Sequence, residues 1–192
     1  MTHRSTLFAA TAAVALALGL TAALPALSAT EKTVQVGGAP MYPSKNIIQN
    51  AVNSKDHTTL VAAVKAAGLV DTLQGAGPFT VFAPTNGAFG KLAAGTVDTL
   101  VKPENKATLT KILTYHVVAG RMTADRLMKA VKDGGGEAKL TTVEGEPLIV
   151  KQEGMGKLWI IDAKGGASLV TIADVMQSNG VIHVIDTVLM PM

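Results

Sequence analysis

Four histidines, scattered carboxylates and one serine shortly after a glycine pair are the residues of this 192-residue chain that could do chemistry. Acyl transfer through a serine needs a nucleophile elbow. No G-x-S-x-G segment exists, although Ser168 follows Gly165-Gly166. A zinc hydrolase needs H-E-x-x-H or two histidines four residues apart, and neither occurs. Gly134-Gly135-Gly136 is followed by a strand pattern rather than a helix, so it does not read as a phosphate cradle. Glu144 and Glu146 flank a turn glycine and read as solvated. Asp162, Asp174 and Asp186 share no metal-ligand spacing. The absence of cysteine removes thiolate, redox and disulfide chemistry together. The expectation is a non-enzyme with no catalytic residue, no metal and no cofactor.

The elements that must position these residues change character midway. Ser44 is a candidate N-cap for a helix through Ile47, Ile48, Ala51 and Val52. Thr58 is the candidate cap of a second helix. In it Leu60, Val61, Val64 and Ala67 recur at helical spacing before Gly68. His57, just ahead of that start, is expected at the surface. Phe79 to Phe82 reads as a strand ended by Pro84, with Thr85 or Asn86 capping a short helix that carries Phe89 and Leu92. Pro103 suits the first position of a longer helix. On its apolar face Leu109, Ile112, Leu113 and His116 fall at i, i+3, i+4 and i+7. His116 therefore reads as a buried neutral imidazole, bonded through one nitrogen, that pins the helix end to a strand; His183, inside Val181 to Ile185, reads the same way. Thr123 caps a helix bearing Leu127, Met128 and Val131. After Gly136 the period becomes that of strands: Lys139 to Val143, Leu148 to Gln152, Leu158 to Asp162, Leu169 to Met176 and Val181 to Met190. Helices first and mostly antiparallel strands later make an α+β domain.

Outside that body the N-terminus has its own pattern. Leu7 to Leu24 is uncharged and rich in Ala and Leu, preceded by Arg4 and followed by Pro25, Ala26, Ser28 and Ala29. This predicts a signal peptide over residues 1–29, a tether over 30–43 and one domain over 44–192, with no stable membrane insertion after cleavage. Removing residues 1–29 takes away one basic residue, leaving 16 basic against 14 acidic. No five-residue basic run exists, so the electrostatic footprint of a nucleic-acid binder is missing. With aromatics at 4%, Val, Leu, Ile and Ala must fill the core.

Three segments carry a resemblance: Phe79-Thr80-Val81-Phe82-Ala83-Pro84-Thr85-Asn86-Gly87-Ala88-Phe89, then Tyr115-His116, then Ser178-Asn179-Gly180-Val181-Ile182-His183-Val184-Ile185-Asp186. In order and spacing they resemble the fasciclin (FAS1) domain from about Ile47 to Pro191. The resemblance implies a β-sandwich-like wedge with several short helices along one edge. It implies a secreted adhesion or interaction module, periplasmic or extracellular and monomeric, that recognises a protein or polysaccharide of the envelope or medium. It points to Asp174-Val175, where the family carries an Asp followed by a large aliphatic residue, and to Tyr115-His116 as partner-binding candidates. Physically, an Asp beside a turn can meet a receptor-bound cation or cap the local backbone. A carrier of a small apolar ligand is the alternative within the same fold, with Met122, Met128, Met155, Met176 and Met190 as adaptable lining.

Overall fold

The computed structural model describes residues 32–154 and 156–192, so the predicted signal peptide lies outside the described residues. The chain opens with β1 (Val34–Val36) and β2 (Ala39–Met41). Five helices and one strand follow: α1 (Ile47–Ala51), α2 (Thr58–Ala67), α3 (Val70–Gln74), β3 (Phe79–Pro84), α4 (Asn86–Gly90) and α5 (Thr96–Leu100). Next come α6 (Lys106–Tyr115), β4 (Val117–Ala119) and α7 (Ala124–Asp133). The last part is all strand: β5 (Glu137–Thr141), β6 (Pro147–Glu153), β7 (Lys157–Ile161), β8 (Ala167–Gln177) and β9 (Gly180–Ile185). Among the described residues no helix is long and apolar enough to cross a membrane.

The architecture is an α+β wedge. Its main sheet runs β4-β3-β9-β8-β7-β6-β5. Every pairing is antiparallel except β3 with β9, where Phe79 to Pro84 lies in parallel register with Gly180 to Ile185. A bridge between Val118 and Thr142, with Val143 N–H donating to Val117 O at 2.7 Å, draws the two ends of the sheet toward each other. One core lies between α1, α2, α6 and one face of β3 and β9, built on Val64, Leu109, Val81 and Ile182. The other lies between the curled sheet and α7, built on Phe82, Tyr115, Leu127, Leu148 and Ile160. Every residue of β9 is buried, because both of its faces serve a core.

The helix starts follow local bonding rather than hydroxyl residues alone. Asn46, not Ser44, caps α1: its Oδ1 accepts from Gln49 N at 2.9 Å while Gln49 Oε1 accepts from Asn46 N at 3.0 Å, a complete capping box. Thr58 is the first residue of α2, and the free N–H of Thr59 is taken instead by Asn86 Oδ1 at 3.0 Å. Gly68 closes α2 with φ +74, the left-handed position that glycine enters without steric cost. Thr85 and Thr123 cap α4 and α7. Pro103 opens a 3₁₀ turn, Pro103–Asn105, that feeds α6. The stretch expected to be a tether contains the β1–β2 hairpin, turned by Gly37 and Gly38 at positive φ, and it buries Val36 and Met41 in the first core.

The Asn179-Gly180 turn is tight for a reason other than positive φ. A Cβ on Gly180 would stand 2.2 Å from the Phe79 carbonyl oxygen, so the parallel strands meet here only because the side chain is missing. Gly180→Ala is expected to cost ~2 kcal/mol or more through this overlap, read as a lower urea midpoint at an unchanged m-value. An unchanged midpoint would count against the close approach.

Candidate functional site

The tertiary arrangement separates the four candidate residues. Tyr115, His116 and Val175 are 0%, 2% and 1% exposed. Tyr115 Oη donates to Pro147 O at 2.9 Å and accepts from Ala163 N–H at 2.8 Å, joining α6 to the open end of the β6–β7 hairpin, where β6 begins and the chain leaves β7. Burial pushes its hydroxyl pKa up to about 12. The His116 imidazole is bonded through both nitrogens rather than one. Nε2 accepts from Leu189 N–H at 3.0 Å, so Nδ1 carries the proton and donates to Ile112 O at 2.8 Å. Its anchor is the segment after β9, not a strand. Burial lowers its pKa to about 4 despite the Ile112 carbonyl and the charge of Asp162. All three side chains face inward and offer nothing to a docked partner in this arrangement.

Asp174 alone of the four keeps part of its side chain at the surface, and its backbone is unusual. It sits in an irregular stretch of β8, between Ile172 and Val175, with φ +56, the only positive φ at a non-glycine among the described residues. Asp is one of the few L-residues that enters this region readily. Its Oδ1 accepts from Ala124 N–H at 2.8 Å, adding an acidic partner at the N-terminus of α7 beside the Thr123 cap. Its own N–H points at His183 Nδ1, 3.4 Å away. His183 Nε2 in turn donates to Met122 O at 2.8 Å, and its ring stacks on Phe82 with centroids 5.7 Å apart. Burial holds the His183 pKa below its ordinary value, which keeps Nδ1 an acceptor. A buried imidazole therefore fixes the backbone on which the carboxylate is presented.

Beside Asp174 runs an open groove of about 620 Å³ between the β1–β2 hairpin and the second half of β8. Val34, Met41 and Met176 give it an apolar floor, and Lys32, Arg121 and Asp174 give it charge of both signs. Arg121 is held by the carbonyls of Gln177 and Ser178, both at 3.1 Å. The hairpin wall was hidden from sequence reasoning by its Gly37-Gly38 and Pro40, which read as tether; Val36 and Met41 on either side of that turn were the available signal.

The residues considered for catalysis are committed to the fold. Ser168 is buried, donating to Thr187 O at 3.0 Å and accepting from Thr187 N–H at 3.0 Å. Asp162 caps its own turn, with Oδ1 accepting from Lys164 N–H at 3.0 Å. Asp186 accepts from Leu169 N–H at 2.9 Å and pairs with Lys91 at 3.2 Å. His57 is buried, not exposed: the 3₁₀ turn Lys55–His57 ahead of α2 swings its ring inward, where Nδ1 lies 2.9 Å from Ser54 Oγ.

Comparison with known proteins is consistent with this architecture. The fasciclin domain model matches residues 55–191. Protein sll1483 of Synechocystis is 45% identical over 182 residues, covering 94% of this chain and 93% of the relative. The cell surface glycolipoprotein MPB83 of Mycobacterium bovis is 39% identical over 147 residues, covering 73% of this chain and 58% of the relative. A solved FAS1 domain pair from the insect cell adhesion molecule fasciclin I superposes with a TM-score of 0.68 at 20% identity, over 82% of this chain and 57% of the other.

Proposed function

The chain belongs to the fasciclin domain family, and on that premise we propose that it acts outside the cell as a non-catalytic interaction module, recognising a protein or polysaccharide through the groove beside Asp174. The observation that carries this reading is the Asp174 carboxylate itself. A residue in a sparsely populated backbone conformation, held by two separate elements, lines an open groove of mixed charge. The adhesion molecule and the cell-surface protein among the similar chains support the setting. The internal bonding of Ser168, His116 and His183 supports the absence of a nucleophile–base pair.

The informative substitution is Asp174→Asn, not Asp174→Ala. Ala would lose the bond to Ala124 and meet a steric penalty at positive φ, an expected loss of ~1–2 kcal/mol that confounds binding with stability. Asn tolerates the conformation and keeps an acceptor, so its melting temperature should stay within about 2 °C of the parent. Immobilised protein lacking residues 1–29 is incubated with native envelope extract and culture medium. We expect specific capture that Asp174→Asn weakens by roughly tenfold and that Ser178→Trp, a bulky group on an exposed groove residue, blocks. Equal capture by parent and both variants, all folded, would remove the groove from the account.

A further inference from the structure

A second cavity lies inside the molecule. Between α1, α2 and α3 and the underlying strands is a cavity of about 50 Å³, lined by apolar side chains including Ile47, Ile48, Leu60, Val64, Leu73 and Val81. Two imidazoles interrupt that lining, and of these His116 is bonded through both nitrogens. His57 is 3% exposed, and its Nε2 makes no hydrogen bond. The Ala83 carbonyl faces the ring and favours its protonated form, but it lies outside hydrogen-bonding geometry. Burial outweighs that influence and keeps the imidazole on the neutral side.

Buried polar atoms are almost always paired, and an apolar cavity of this kind stays dry while admitting small apolar molecules. At ~10–15 Å³ per water-sized occupant, the space takes roughly four heavy atoms. The neutral ring has two tautomers. If Ser54 Oγ donates to Nδ1, then Nε2 carries a proton and needs an acceptor. If Nδ1 donates to Ser54 Oγ, then Nε2 needs a donor. A hydroxyl satisfies either case. We propose that this cavity is a binding site for a small aliphatic alcohol, whose chain lies among the α1–α3 side chains and whose hydroxyl pairs with His57 Nε2.

The site is distinct from the groove, so either assignment can fail without the other. Val175 faces the cavity while Asp174 faces the groove, and Met41 lines both. Met122, Met128, Met176 and Met190, singled out in the sequence as adaptable lining, are not among the cavity residues.

The test is methyl NMR of the protein titrated with propan-1-ol and, in parallel, with 1-chloropropane, which has the same carbon chain and no hydroxyl. We expect propan-1-ol to give saturable shifts confined to methyl groups that line the cavity, among them Ile47, Ile48, Leu60, Val64 and Leu73, with an affinity about fivefold to tenfold above that of 1-chloropropane. His57→Phe should erase that difference, and Val64→Phe, which fills the space, should abolish binding of both. If His57→Phe fails to fold, the comparison of the two probes in the parent protein still decides. A lone trapped water would leave both probes without saturable effect, and that result overturns the proposal. Equal affinity for the two probes in the parent overturns it as well.

Discussion

Replacing Asn179 by Ala is expected to remove ~3–5 kcal/mol of stability, a large part of what a domain of this size possesses. The side chain is buried, and it holds three backbone groups that have come from far away in the chain. Oδ1 accepts from Ile47 N–H at 3.0 Å, the first turn of α1. Nδ2 donates to Leu73 O at 2.8 Å and to Gly75 O at 2.9 Å, the last turn of α3 and its cap. The Asn179 carbonyl also accepts from Phe79 N–H at 3.0 Å, which starts β3. Each buried group left without its partner costs about 1–3 kcal/mol, and water has poor access to this corner. Asn179→Asp should be as damaging, since it removes both donors and buries a charge. Urea unfolding at neutral pH measures both variants. A loss below ~1 kcal/mol for Asn179→Ala would show that the α1, α3 and β3 ends find other partners. A further expectation is spatial. Hydrogen-exchange protection should fall first in α1 and α3 and last in β6 and β7, because only the former elements depend on this residue.

How much of this was legible in the sequence depended on the range of the interaction. The α6 face of Leu109, Ile112, Leu113 and His116 was readable from spacing because periodicity is a property of neighbouring residues, and all four are buried as that spacing requires. The strand expected over Lys139 to Val143 was readable for the same reason, although β5 is shifted two residues earlier, to Glu137–Thr141. The Asn-Gly dipeptide announced a turn. Nothing local announced that Asn179 would clamp groups 104 to 132 residues away, or that Gly180 was needed for the approach of Phe79. The hairpin over residues 34–41 was missed because three-residue strands carry too little pattern to outweigh Gly and Pro. His57 was misplaced because a helix start is usually exposed, whereas here the start is tucked against α4 by Asn86. Of the candidate site, Asp174 was identified by resemblance. Its left-handed backbone and its bond to α7 follow from how β8 breaks register, which no single-sequence pattern encodes.

The second large effect is acid sensitivity well above the range where carboxylates titrate. His116 has a folded pKa of about 4 against an ordinary value of 6.5, so the unfolded chain binds the proton more readily than the folded one. A histidine with a depressed folded pKa contributes its full share of stability above pH 6.5, and that share is lost as pH falls from 6.5 toward 4. At 1.36 kcal/mol per unit, the loss is about 3 kcal/mol from this residue alone. The geometry explains why the fold cannot accommodate the proton. A second proton would sit on Nε2, the atom that accepts from Leu189 N–H, turning an attraction into a clash of two donors at the joint between α6 and the C-terminal segment. His183 and His57 are shifted in the same direction by burial, so they steepen the fall. Asp186 and Glu146, whose pKa values are lowered, begin to lose their contributions only at the acid end of this window, as pH falls through the ordinary carboxylate range. Urea midpoints taken between pH 7.5 and 4.5 should therefore decline steeply below pH 6.5. In the folded protein the His116 ring proton signals should stay unshifted down to about pH 5. A flat stability profile between pH 7 and 5, or a His116 ring that titrates near 6.5 in the native state, would show that Leu189 and α6 can part at the cost of one proton and that the joint is softer than its bonds imply.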